Sequence, residues 1–176
     1  DRAGIDISLQ VVERGVGWHL ANGNADGGWA YRPQKQPGPS YHNLAAAGAG
    51  SLGVGRLLLH GHKNSPKQDQ QTPKVFGVLE GVTAEEEKKG ETNDRKNYRP
   101  GISSSTIDGR VSRAFGWISP RFPPPTDGNM PYYFFYALER AAELHDIKSV
   151  QGKDWYTAYG DILLTMQGAS GGFDKG

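Results

Sequence analysis

Five histidines, no cysteine and no closely spaced aspartates limit the chemistry this chain can perform. Without cysteine there is no disulfide, no thiol nucleophile and no thiolate metal site. His60-Gly61-His62, beside Lys63, is the one close histidine pair. Two histidines two apart on a helix point to different sides and make poor joint metal ligands. Glu85-Glu86-Glu87 runs straight into Lys88-Lys89 and reads as a solvated charge run. Glu139-Arg140 and Glu143 sit on a helix and read as a structural ion pair or a solvated face. A Ser/His/Asp set is spatial and stays open. However, the sequence carries no Gly-x-Ser-x-Gly elbow, and Gly50-Ser51-Leu52 falls inside a helix. Asp26-Gly27-Gly28-Trp29 is glycine-rich but lacks the Gly-Lys-Ser/Thr ending of a phosphate loop.

Aromatic residues remain. Tyr132-Tyr133-Phe134-Phe135-Tyr136 surrounds more than one helix turn, so some of its rings must face away from the core. Trp18, Trp29, Tyr31, Trp117, Trp155 and Tyr156 add to them. Such surfaces suit sugars, isoprenoids or peptides, and they equally suit helix-to-helix packing in a glycine-loosened core. The candidate ligand-binding residues are Tyr31, Arg32, Tyr132, Tyr133 and Trp155, with the rings as platforms and Arg32 as a donor to an anion or carbonyl. No catalytic residue, metal ligand or cofactor is assigned. The expected partner is a protein, a glycan or an apolar small molecule.

Composition narrows the partner further. Lys+Arg 20 against Asp+Glu 19 leaves a net charge of +1, so no global field draws in nucleic acid or acidic lipid. No apolar run approaches the roughly 18 residues of a membrane span, and no signal peptide is visible. The compartment, bacterial cytoplasm or periplasm, is not written in the sequence.

The elements that must position these residues read as helices. Ile5, Leu9, Val12, Val16 and Leu20 form one apolar stripe. Ser40 is placed to cap a second helix, in which Leu44, Ala47, Gly48, Ser51, Leu52, Gly55, Leu58, Leu59 and His62 recur at helical steps. Each interior glycine costs about 1 kcal/mol relative to alanine. The flat face of Ala47, Gly48, Ser51 and Gly55 offsets that cost if another backbone lies close, which predicts an inner helix. Residues 64–101, punctuated by Pro66, Pro73 and Pro100, break the pattern and read as a polar insertion, with Val75-Phe76-Gly77-Val78-Leu79 as a patch able to dock. Ser105 and Asp108 form a capping-box-like pair opening a third helix with Ile107, Val111, Ala114, Phe115 and Ile118. Pro131 begins a fourth, and Asp154 caps a fifth with Trp155, Tyr159, Ile162, Leu163 and Met166. No stretch alternates long enough for a convincing strand.

One device occurs twice. Laying Trp29 over Phe173 puts Leu20 on Leu164 and Gly27-Gly28 on Gly171-Gly172, which suggests repeats. An apolar helix end followed by Gln-x-x-x-Gly-Gly-aromatic resembles the QW-type repeat of the terpenoid cyclase and prenyltransferase toroids. Gln167, Gly171, Gly172 and Phe173 match it. The first copy keeps Asp26, Gly27, Gly28 and Trp29 but has Gly23 in place of the glutamine. Tyr132 to Arg140, Gly152-Lys153-Asp154-Trp155-Tyr156 and Gly27 to Pro33 look like the prenyltransferase/squalene-oxidase-repeat proteins of planctomycete-type bacteria. The resemblance implies an all-α fold, an α/α toroid of helical hairpins pinned by repeat loops. With about five main helices, the chain would form a partial toroid, one domain over 1–176. Asp1 in place of an initiator methionine, and Lys175-Gly176 directly after a loop motif, fit a segment of a larger ring.

The family's reactive groups do not carry over. The Asp-x-Asp-Asp acid of class II cyclases, the Asp/Cys/His zinc set of protein prenyltransferases and the Cys-Gly-Glu-Gln thioester are all missing from this sequence. The expected function is therefore non-catalytic binding through an aromatic loop face. The alternative is part of a terpenoid cyclase-like enzyme whose acid lies outside this segment, with the aromatic wall stabilising cationic carbon.

Overall fold

The computed structural model describes residues 7–31, 38–61, 97–123 and 131–173. Arg32, His62 and most of the expected insertion, including the patch Val75 to Leu79, lie outside them. The described fold is helical. Its elements are α1 (Leu9–Ala21), α2 (His42–His60), α3 (Ser104–Ile118), α4 (Pro131–Leu144) and α5 (Trp155–Met166). A 3-10 turn, Ser119–Arg121, follows α3, and a small hairpin of β1 (Ser149–Val150) and β2 (Lys153–Asp154) precedes α5.

Helix α2 is the inner element, as its glycines predict, and α1, α3 and α4 all pack on it. It is flattened on two sides rather than one. On one side a Cβ at Gly48 would lie 2.7 Å from the Trp29 ring, and one at Gly55 would collide with Val16 of α1. On the other side a Cβ at Gly53 would lie 2.8 Å from Leu144 of α4 and from His145 just beyond it, and Gly50 faces the α4 backbone at Ala137 and Ala141. The helix-propensity cost of these glycines is thus offset by close approach of two neighbours. Ser51, expected on the flat face, is exposed instead.

Contacts fix the directions. His42 lies beside Phe134, and Gly53 beside Leu144, so α2 and α4 run parallel. Trp117 lies beside His42 while Asp108 pairs with Arg56 at 2.8 Å, so α3 runs the opposite way. Tyr159 stacks on Phe135 at 4.6 Å and Phe173 meets Tyr132, so α5 returns toward the start of α4. The core comprises Leu52, Ile107, Ile118, Phe134, Phe135 and Leu138, all fully buried, with Ala45, Ala46, Ala49, Ala141 and Ala142 between them.

Two helix starts differ from the expected ones, for tertiary reasons. The N-cap of α2 is Tyr41, because the Ser40 hydroxyl is taken by Asp26 at 2.7 Å. The N-cap of α3 is Ser103, whose Oγ accepts from Thr106 N–H, because Asp108 is drawn to Arg56. Asp154 caps α5 as predicted, accepting from Thr157 N–H at 2.7 Å. Helix α4 closes with Ile147 N–H reaching back to Ala142 O and Asp146 at φ 54, a left-handed cap of the Schellman kind. Gln151 and Gly152, at φ 55 and 72, then form the two-residue turn whose twist suits a hairpin.

Candidate functional site

The loop between α1 and α2 is held by its own backbone first. Asn24 N–H donates to Gly28 O at 2.9 Å, and Gly27 N–H donates to Asn24 O at 3.1 Å. Gly27 sits at φ 108, a conformation L side chains avoid, and a Cβ there would meet Arg113 O at 2.5 Å. Asp26 then ties three elements together. Its Oδ1 accepts from Gly28 N–H at 3.0 Å and from Ser40 Oγ, and its Oδ2 accepts from Trp117 Nε1 at 2.9 Å. Burial pushes this carboxyl up, but the bonds from Ser40, Gly28 and Trp117 outweigh it and hold the group below its usual range.

Trp29 is the anchor. It is 5% exposed, lies on Gly48 and donates Nε1–H to His19 O at 3.1 Å. Arg110 of α3 stacks over it, with its guanidinium carbon 3.8 Å from the ring centroid. The same guanidinium donates to Gly27 O at 2.6 Å and to Gly28 O at 2.9 Å. Burial lowers the Arg110 pKa to about 10, with Arg113 pushing it the same way.

The loop after α5 repeats the backbone pattern. Gly168 N–H donates to Gly172 O at 2.7 Å, Gly171 N–H donates to Gly168 O at 2.9 Å, and Gly171 stands at φ 82. Under the alignment of Trp29 with Phe173 these are the bonds of Asn24, Gly27 and Gly28. Gln167 Nε2 donates to Gly171 O at 2.8 Å. In the first loop the corresponding carbonyl, Gly27 O, is served by Arg110. A Cβ on Gly23, at the glutamine position, would collide with that guanidinium. One donor is thus local and the other comes from a separate helix. The two loops differ in cover as well, since Phe173 is 47% exposed.

The structure separates the sequence candidates. Tyr31, 63% exposed, meets Tyr41 edge to face at 5.1 Å, and its hydroxyl accepts from Asn43 Nδ2 at 3.0 Å. Tyr132 and Tyr133 are exposed on the first turn of α4, and Tyr132 touches Phe173 at 5.6 Å. Because α2 and α4 are parallel, their starts, the two glycine loops and these rings all belong to one end of the helical body. Trp155 corrects the expectation. It is 3% exposed and donates Nε1–H to Ile147 O at 2.6 Å, which makes it a core brace and not a platform. Arg32 lies outside the described residues. Tyr41 was missed; its place at the start of α2, ten residues beyond Tyr31, was the available clue. Glu139 and Arg140 are exposed, and Arg140 stands over Tyr136 at 5.6 Å.

Among the described residues no group of histidines and carboxylates is placed to hold a metal ion. No helix there is long and apolar enough to cross a membrane. Compared with protein-family models, with curated proteins and with solved structures, the chain finds no match.

Proposed function

We propose that this chain is an arc of an α/α-toroid-type helical repeat that binds through the aromatic end of its helices and carries no catalytic group of its own. One observation carries the reading. Tyr31 with Tyr41 near the start of α2, and Tyr132 with Phe173 near the start of α4, form two exposed ring pairs at the end where both glycine loops lie, and Tyr133 is exposed beside the second. Large exposed aromatic residues gathered on one surface mark interaction sites, because a tyrosine offers both an apolar face and a polar tip. The toroid part of the reading draws on the shared bonds of the two loops. Helix–loop units repeated with one internal geometry are how such arrays stack. The ligand class is a glycan, an apolar small molecule or a protein segment, each of which lies flat on tyrosine rings.

The test replaces Tyr132 and Tyr133 with alanine and measures retention of a glycan panel, of isoprenoid alcohols and of cell-extract proteins. The reading expects retention of one class by the parent protein and at least a tenfold loss in the variant, with circular dichroism unchanged. Retention equal to the parent's, on an intact fold, removes these residues from the site.

A further inference from the structure

His42 opens α2 and lies where three elements meet. Its ring sits edge-on to Trp117 of α3 at 5.2 Å and to Phe134 of α4 at 5.9 Å. Its Nε2 is buried without a hydrogen-bond partner. A neutral imidazole tolerates that position, whereas an imidazolium there sets a charge among the Trp117 and Phe134 rings, with the Arg121 backbone contact too little to offset its burial.

The surrounding charges point the same way. From the turn after α3, Arg121 stands 4.4 Å over the Trp117 ring, and its positive charge opposes a second one on His42. The start of α2 carries the positive end of the helix dipole. No acidic residue lies in the first turn of α2 or of α4, and no basic residue in the last turn of α3. The carboxylate of the α1–α2 loop, Asp26, is already engaged by Trp117, Ser40 and Gly28. A contact with the Arg121 backbone favours the charged ring, but burial outweighs it and holds His42 below the ordinary value of 6.5.

We propose that His42 is an acid-sensitive latch, whose protonation expels the ring from between Trp117 and Phe134 and parts the end of α3 and the start of α4 from α2. A histidine kept neutral by the fold contributes stability that is whole above about pH 6.5 and is lost as pH falls below it. The latch sits beneath the first turn of α4, which carries Tyr132 and Tyr133. Loss of ligand on acidification would follow, and that consequence alone rests on the binding reading above.

The experiment follows tryptophan fluorescence and near-ultraviolet circular dichroism of the protein from about pH 7.5 to about pH 5, with the His42 ring protons followed by NMR over the same range. The parent is expected to show a reversible transition below about pH 6.5 that coincides with titration of His42. His19 has a ring nitrogen buried without a partner and is also held low by burial, so both proteins compared carry His19→Gln. In that background His42→Gln, neutral throughout, is expected to lose the transition. A transition that survives His42→Gln there overturns the proposal. So does a His42 ring that titrates at or above the ordinary value, which is read on the parent protein even where the variant does not fold. Ligand retention, measured separately, bears on the binding reading and leaves the latch decided by the spectroscopy.

Discussion

Arg110 lies across Trp29, 3.8 Å above its ring, and holds the carbonyls of Gly27 and Gly28 with the same guanidinium. A buried, planar cation thus does two things. It covers the indole, and it satisfies acceptors that the tight turn leaves facing inward. It also binds α3 to the loop that joins α1 to α2, so one side chain fixes three helices at the aromatic end.

Trp29 and Gly48 form a complementary pair. Trp29→Ala is expected to cost about 3–5 kcal/mol, the range for removing a buried large aromatic side chain. Gly48→Ala is expected to cost about 1–3 kcal/mol, because its methyl enters space the indole fills. In the Trp29→Ala background the Gly48→Ala cost should vanish or reverse, since alanine is the better helix former and the obstacle is gone. Urea unfolding of the four proteins checks this, and strictly additive costs would contradict it.

Stability should fall at both extremes of pH through one pair of residues. The Tyr98 hydroxyl donates to Glu13 Oε2, and Ile102 N–H donates to Oε1 at 2.7 Å. The Tyr98 bond chiefly, with that of Ile102, holds the Glu13 carboxyl below its usual range. The same bond holds the Tyr98 hydroxyl above its ordinary value. A depressed carboxyl contributes stability that is present above about pH 4 and lost as pH falls through the folded value. A raised phenol contributes stability that is present below about pH 10 and lost as pH rises through the folded value. Glu13→Gln should therefore flatten both limbs of the unfolding midpoint against pH. A change on the acid limb alone would show that Tyr98 is not the partner. Asp26, and Asp154 with its bond from Thr157 N–H, are also held low and keep part of the acid limb in the variant.

Trp155 and the tyrosines of α4 should separate stability from binding. Trp155→Phe removes the donor to Ile147 O and is expected to cost about 1–2 kcal/mol in urea unfolding with ligand retention unchanged. Tyr132→Ala with Tyr133→Ala should do the reverse, since both rings are exposed. If Trp155→Phe lowers retention at full folding, Trp155 belongs to the site after all.

The helices were legible because their apolar stripes are long and periodic, and α2 was legible as the inner helix from its glycines. Which glycine faces which neighbour was not, because spacing gives a face and not its occupant. That is why Gly50 and Gly53 went unassigned and Ser51 was misplaced. The misread caps have one cause. Ser40, Ser105 and Asp108 suit helix starts locally, but Asp26 and Arg56 offered Ser40 and Asp108 stronger tertiary partners. Trp155 looked like a platform because a sequence does not tell a buried ring from an exposed one. The missing glutamine at Gly23 was a visible anomaly. Its resolution required knowing that Arg110, far along the chain, enters the vacated space.

That difference in donor is the centre of the account: Gly27 O is held by Arg110, and Gly171 O, its counterpart under the alignment, is held by Gln167. The most direct measurement places Gly23→Gln into the parent and into Arg110→Ala, and compares unfolding free energies. The account predicts a loss in the parent, where the glutamine meets the guanidinium, and a gain in Arg110→Ala, where it can serve Gly27 O as Gln167 serves Gly171 O. Equal costs in both backgrounds would contradict it.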